Sequence, residues 1–437
     1  MNKNRALISG LFGLAIMASS TTLWADGAWT LEQCLAQAKK ASLQLETARL
    51  REQSAEISVK QARTGNSPTL SAQIGNTIYD HPLAAHPQDH YRFNVGISGS
   101  YTLWDGGATS LNTEASQLNR EAVQLATRQT ERSIQESVLN AYMNLLAAQE
   151  KLRTANASVE LSQAEFENYE KLLEAGSITL KDLTQSQSNV LQKQAAQLTA
   201  QLNVSTAKTT LRQLLELDAK EDFEIAALET AIASPDSLEP LPAFDQLMAD
   251  ARSANPGLKS DSVSVKAAKK NTEVAGKNSS ITVTLGANSS TGFTGFESDH
   301  YGRQLKDGWQ NSLSLNVNIP IIDNGSTENK VLQAQVNEAT SQLTLQESSK
   351  NLENNLEKLY LNAMSADMQW KAALLQVKAD TEALAVAEEQ RNAGALTYTD
   401  FLSQKNNLEN AQINLTNAKY TSLLARKLLD LYQGKLD

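Results

Sequence analysis

The chain has 437 residues, 41% hydrophobic, 20% charged and 5% aromatic, enough for two or three domains with a buried core. Its 39 Lys and Arg against 49 Asp and Glu give a net charge of −10, which argues against a phosphate-neutralising protein, so no nucleic acid is expected among its partners. The single cysteine, Cys34, excludes internal disulfides and Cys-rich metal centres.

Residues 1–25 carry Lys3 and Arg5, an apolar run from Ala6 to Ala18, and Thr-Leu-Trp-Ala ending at Ala25, the pattern of a cleaved signal peptide. That run is short for a spanning helix of about 20 apolar residues, and no later segment approaches its apolar length. A mature chain resident in a membrane would therefore sit there without a transmembrane helix.

A helix is expected from about Leu31, followed by two strands. Leu70, Ala72 and Ile74 alternate with polar residues in the first strand. In the second, Tyr91, Phe93, Val95, Ile97, Gly99, Tyr101 and Leu103 share one face, against Arg92, Asn94, Gly96, Ser98, Ser100 and Thr102. Between the two strands lie His81, His86 and His90, candidate metal ligands whose spacing of five and four in a Pro-broken loop matches no known ligand pattern.

From Ala108 to Ala175 there is no Gly or Pro for 68 residues, so one helix of about 100 Å is expected. Val138, Leu145, Leu152, Val159, Phe166 and Leu173 recur every seven residues along it. A second seam through Leu111, Leu118, Leu125, Leu139 and Leu146 is interrupted by Arg132, and two seams give the helix neighbours on both sides. Gly176 is expected to end it, with a further helix running to about Leu217.

The pattern then repeats. Leu31-Glu-Gln-Cys-Leu matches Phe244-Asp-Gln-Leu-Met, Leu103-Trp-Asp-Gly-Gly matches Ile321-Ile-Asp-Asn-Gly, and Ala175-Gly-Ser-Ile-Thr-Leu-Lys-Asp matches Ala393-Gly-Ala-Leu-Thr-Tyr-Thr-Asp. The first match lies at an offset of 213 and the other two at 218. The chain thus divides into a signal peptide (1–25), a first repeat (26–233), a Pro-bearing linker (234–243) and a second repeat (244–437), each repeat reading as helix, two strands and two helices. In the second repeat the strands are carried by Ile281, Val283, Leu285 and Ala287, then by Leu313, Leu315, Val317, Ile319 and Ile321. Ser289 to Phe296 reads as a flexible loop, and 326–393 is again free of Gly and Pro.

Four strands with alternating apolar and polar residues suit a transmembrane β-barrel, although surface hairpins packed on helices would show the same alternation. Four strands cannot close a barrel alone, and open edges cannot face lipid, so a chain spanning the outer membrane must oligomerise.

These junctions, tips and repeats resemble the TolC family of trimeric outer-membrane efflux and secretion channels. The resemblance implies a mainly α fold with a membrane β-barrel part. Long antiparallel coiled-coil helices would form a periplasmic α-barrel, and four strands per chain would close as a 12-stranded barrel in a homotrimer embedded in outer-membrane lipid. It also implies a passive exit duct for a tripartite efflux or type I secretion system, driven by an inner-membrane RND or ABC transporter through a periplasmic adaptor (membrane fusion) protein. The sequence does not separate small-molecule from protein cargo.

By the same resemblance, Ala175, Gly176, Ser177, Ala393, Gly394 and Ala395 form adaptor-docking tips, their small residues allowing close helix approach around a tight turn. Asp400 lines the tunnel entrance and sets ion selectivity, Ser403 stands where some members carry a second acid, and Asp182 is the first-repeat counterpart, a latch position. The basic latch partner would fall near Leu396, which carries no charge. Thr179-x-x-Asp182 and Thr397-x-x-Asp400 read equally as helix caps. No Gly-rich phosphate loop, nucleophile elbow or helical His-Glu-x-x-His occurs, so neither an enzyme nor a cofactor is expected. The alternative to a duct is a structural periplasmic coiled-coil or adhesin-like protein without a pore.

Overall fold

A computed structural model describes residues 28–78, 91–220, 223–227, 234–295 and 300–435. The expected signal peptide and His81, His86 and His90 lie outside the described residues. In chain order the elements are α1 (Leu31–Ala41), α2 (Leu43–Arg63), β1 (Thr69–Ile78), β2 (Tyr91–Trp104), α3 (Ala108–Glu174), α4 (Leu180–Leu214), α5 (Phe244–Ala254) and α6 (Pro256–Gly276). β3 (Thr282–Thr294), α7 (Tyr301–Asp307), β4 (Gln310–Asn318), α8 (Ser326–Asn392) and α9 (Tyr398–Tyr432) follow among the described residues.

Where one opening helix is expected in each half, the structure has two. Ser42 closes α1 and caps α2, its hydroxyl accepting from the Leu45 N–H at 3.4 Å. Asn255 does the same for α6, accepting from the Leu258 N–H at 2.9 Å, with Pro256 in the first turn, where its missing N–H costs nothing. A side-chain cap offers the backbone a local alternative to continuing the helix.

Both α3 and α8 run for 67 residues, about 100 Å at 1.5 Å per residue. Each starts at a left-handed glycine, Gly107 (φ 85°) and Gly325 (φ 76°). The preceding aspartate folds back over each helix start. Asp105 accepts from the N–H groups of Gly107 (2.9 Å) and Thr109 (2.7 Å), and Asp323 from those of Gly325 (3.1 Å) and Thr327 (2.9 Å). Four N–H groups that lack helical partners are thereby satisfied, next to the positive end of each helix dipole.

The helices pack side by side in the order α2, α3, α6, α8, leaving α2 and α8 at the edges. Further from the sheet, α4 lies along α3 and α9 along α8, and α3 also touches α9. The main core joins α1, α3, α4 and α9, with Cys34, Val138, Tyr142, Met143, Leu145, Leu211 and Leu431 all buried. Each fully buried Leu or Val contributes roughly 1.5–3 kcal/mol. Val138, Leu145 and Val159 of the expected first seam are buried, and Leu152, Phe166 and Leu173 half-buried. Arg132, the interruption in the second seam, is itself buried and donates to the Leu431 carbonyl at 3.0 Å, fastening the end of α9. No described helix is long and apolar enough to cross a membrane.

The four strands form one antiparallel sheet in the order β1-β2-β3-β4. Several details differ from the expected strands. A bulge between Thr102 and Trp104 sets Trp104, not Leu103, opposite Val283, because the extra residue flips the alternation at the rim. The tract Ser289 to Thr294 is strand, not loop: it pairs with β2, and the Phe293 ring stacks on Phe93 at 5.0 Å. Ile319 and Ile321 fall beyond the end of β4 at Asn318.

Candidate channel wall and inner tips

Register sorts the sheet into two chemically distinct faces. On one, Leu70, Gly99, Ala287 and Leu313 lie in a row, with Tyr101, Leu285 and Leu315 in the next. These side chains meet solvent in the single chain, Ile74 being 71% and Leu313 76% exposed. On the other face the rows are Thr69, Ser100, Gly286, Ser314 and then Ser71, Ser98, Asn288, Ser312. Hydroxyl pairs cross the strands there, Thr69 with Ser100 and Ser71 with Ser98, each at 2.9 Å. An apolar face of this area is costly in water and suited to lipid, while the hydroxyl face suits a water-filled lumen.

The far ends of the helices form the tips. At the first, the Gly176 N–H donates to the Leu173 carbonyl (2.9 Å) and the Ser177 N–H to that of Leu172 (2.8 Å). At the second, Gly394 donates to Arg391 (2.9 Å) and Ala395 to Gln390 (2.9 Å). Gly176 (φ 71°) and Gly394 (φ 72°) adopt the left-handed conformation that closes such turns. A Cβ added at either would meet no atom of the chain within 4 Å beyond its sequence neighbours, so within the single chain these glycines serve backbone conformation.

Both tip aspartates cap their helices, though unequally. Thr179 and Asp182 form a full capping box, with Asp182 Oδ2 accepting from the Thr179 N–H (3.1 Å) and hydroxyl (2.7 Å). Those bonds, the hydroxyl's first, hold the Asp182 carboxyl below its ordinary value. Asp400 Oδ2 accepts from the Thr397 hydroxyl (2.6 Å) without a backbone donor among the described residues, and its side chain is exposed, as is that of Ser403. Leu396 packs into an apolar cluster of Tyr169, Tyr398, Phe401 and Leu402, in which the Tyr169 and Tyr398 rings lie 4.7 Å apart. Burial pushes the Tyr169 hydroxyl up to about 12.

Sequence reasoning missed the charged tie beside this cluster. The Glu165 side chain, 9% exposed, accepts from Arg391 (3.1 Å) and Lys405 (2.8 Å), linking α3 to α8 and α9. The Arg391 guanidinium also lies over the Phe401 ring at 4.4 Å. A second tie of the same kind joins Lys193 of α4 to Glu409 and Asn406 of α9. Among the described residues, no group of three or more His, Cys, Asp or Glu is arranged to hold a metal ion.

A two-faced sheet carried on helices of this length defines a class: membrane conduits with a long helical extension. Residues 34–216 and 247–435 match the model of the outer membrane efflux protein family, and the chain belongs to that family. It is 24% identical to the outer membrane efflux protein BepC of Brucella suis biovar 1 (strain 1330), over 98% of this chain and 90% of the relative. It is 26% identical to the alkaline protease secretion protein AprF of Pseudomonas aeruginosa, over 69% of this chain and 61% of the relative. The solved structure of CusC superposes with a TM-score of 0.78 at 19% identity, covering 94% of this chain and 95% of that one. The protein is an outer-membrane exit channel with a large periplasmic helical portion, a conduit and not an enzyme.

Proposed function

We propose that three copies of the chain close into one tunnel, the exit duct of a tripartite efflux or type I secretion system. A periplasmic adaptor would dock at the tips around Gly176 and Gly394, and an inner-membrane RND or ABC transporter would supply the energy. The observation that carries this reading is that, among the described residues, both lateral edges of the chain are unpartnered at matching heights. Strands β1 and β4 end the sheet, and α2 and α8 end the helical row. The outer face of α2 exposes Leu43, Leu50 and Ile57, and α8 exposes Leu332, Val336 and Leu343. Ile57 stands six residues from the sheet-side end of α2, and Leu332 six from that of α8, each about 9 Å along its helix. An edge that fits its opposite edge on the next copy generates a ring.

The two halves are read as repeats, 26–233 and 244–437 joined by 234–243. Their element lengths support this: 11, 21, 67 and 35 residues for α1, α2, α3 and α4 against 11, 21, 67 and 35 for α5, α6, α8 and α9. The names of the relatives span efflux and protease secretion, so both cargo classes suit the duct. The pore-free coiled-coil reading leaves the apolar sheet face without a partner.

The test is cross-linking of the doubly substituted chain Ile57→Cys, Leu332→Cys in native membranes. Oxidation should give a covalent trimer, since each copy would offer one cysteine to each neighbour. A protein that stays a soluble monomer overturns the reading.

A further inference from the structure

We propose that α7 and its flanks form an anchor in the outer leaflet that binds a phosphate-bearing lipid headgroup, with Lys306 and Arg303 as cations between the aromatic rings of Tyr301 and Trp309. The proposal rests on the barrel reading above, which makes the apolar sheet face the lipid face.

Strand β3 outruns its neighbour. Its pairing with β4 ends at Ser290 opposite Gln310, so Thr291 to Thr294 have a strand on one side alone. Helix α7 covers the vacant side. The Thr291 hydroxyl donates to the Leu305 carbonyl (2.5 Å), and the Thr294 N–H donates to Gln304 Oε1 (2.9 Å). The Tyr301 ring lies 4.8 Å from that of Phe293. Thr291 and Phe293 stand in register with Val95 and Phe93, on the apolar face, so α7 is docked on the side of the sheet that meets lipid.

Depth follows from the same register. Trp104, 58% exposed, marks the helix-side rim opposite Val283. From Val283 to Phe293 the strand rises about 34 Å, or about 25 Å along a barrel axis at the usual tilt. That is the height of the apolar band of an outer-membrane barrel, so α7 lies at the second interface, remote from the periplasmic helices. Aromatic rings collect at such interfaces, and Tyr301 (56% exposed) opens α7 there while Trp309 (59%) follows its end.

Arg303 and Lys306 are three residues apart, hence neighbours on one helix face, and both are exposed. Asp307 is the single acid of α7, leaving the helix net basic. Arg303 already engages other groups of the protein, which gives Lys306 the larger share of a headgroup contact. Cations at headgroup depth beside an apolar wall fit an anion tethered to acyl chains, because a free phosphate would leave the apolar half of the surface uncovered.

The test is native mass spectrometry of the detergent-purified full-length protein incubated with diphosphoryl lipid A. The parent trimer should retain the lipid, and Lys306→Gln should weaken retention about fivefold, the loss of one interfacial cation. Lys306→Arg should restore it. Dephosphorylated lipid A should bind the parent at least as weakly as diphosphoryl lipid A binds Lys306→Gln, and millimolar inorganic phosphate should not compete. Equal retention by parent and Lys306→Gln trimers, or of both lipids by the parent, overturns the anchor while leaving the barrel reading standing. A parent protein without trimer mass overturns the barrel reading and the anchor with it.

Discussion

Arg391 of α8 donates to the Glu165 carboxylate of α3 at 3.1 Å, across 226 residues of sequence, and Lys405 of α9 reaches the second oxygen of the same group at 2.8 Å. One carboxylate thereby holds three helices together close to the tips. Its side chain is nearly buried, so removing its charge leaves two cations facing each other with little water to screen them. Arg391 keeps about a quarter of its side chain in solvent, which moderates the loss to about 2 kcal/mol. Glu165→Gln should therefore open the tip locally and speed amide exchange in 165–175 and 391–405 roughly 30-fold, with the core around Tyr142 unaffected. Unchanged exchange at the tips would show the tie to be energetically idle.

The tip glycines separate two effects that a bulky substitution would confuse. Gly394→Ala places a Cβ in open space but in a left-handed conformation, at a cost of roughly 1–2 kcal/mol. Gly394→Asn should cost less, since Asn tolerates that region through local hydrogen bonding. Thermal unfolding should rank parent, Asn and Ala in descending order, and the same order at Gly176. If all three unfold together, backbone conformation is not what the glycine supplies.

Acid should weaken the junctions between sheet and long helices. Burial raises the Asp105 carboxyl, but hydrogen bonds from the Thr109 side chain and the N–H groups of Thr109 and Gly107 outweigh it and leave the group below its ordinary value. Asp323 is lowered by Thr327, side chain first and then N–H, with Gly325 adding to it. A carboxyl depressed in the folded state stabilises fully above its unfolded pKa, near 3.8 for these groups, and the contribution disappears as pH falls through the folded value. The stability of the parent should thus decline below about pH 4. The double variant Asp105→Asn, Asp323→Asn should start lower at neutral pH and show a flatter acid limb in denaturation curves. Parallel limbs would assign the acid sensitivity to other carboxyls.

The features legible in sequence were those written in local chemistry. Alternation in β2, the matched Gly- and Pro-free stretches, and Gly176 and Gly394 each leave a periodic or compositional mark. Features that depend on a distant partner left none. Glu165 looks like any solvent-facing acid until Arg391 and Lys405 are brought beside it, and the Trp104 bulge exists only against Val283. Helix α7 is too short to show a period, and it is held by Thr291 and Phe293 of the preceding strand. The breaks at Ser42 and Asn255 are intermediate, since a capping residue announces a possible helix start without fixing where the preceding helix stops.

Asp400 offers the sharpest division between a structural and a conducting role. Asp182 spends one oxygen on both the N–H and the hydroxyl of Thr179, which completes a capping box. Asp400 accepts from the Thr397 hydroxyl alone among the donors described, and its exposed carboxylate keeps its other oxygen facing solvent. Three copies around one axis would place three such carboxylates at the inner mouth, concentrating cations and repelling anions there. An Asn at this position can still accept from Thr397 through its carbonyl oxygen, so helix capping survives while the charge is removed. Asp400→Asn trimers in planar bilayers should assemble normally and lose cation preference, whereas Asp182→Asn should change reversal potential little and lower tip stability instead. Identical reversal potentials for the parent and Asp400→Asn across a salt gradient would make Asp400 a helix cap and nothing more.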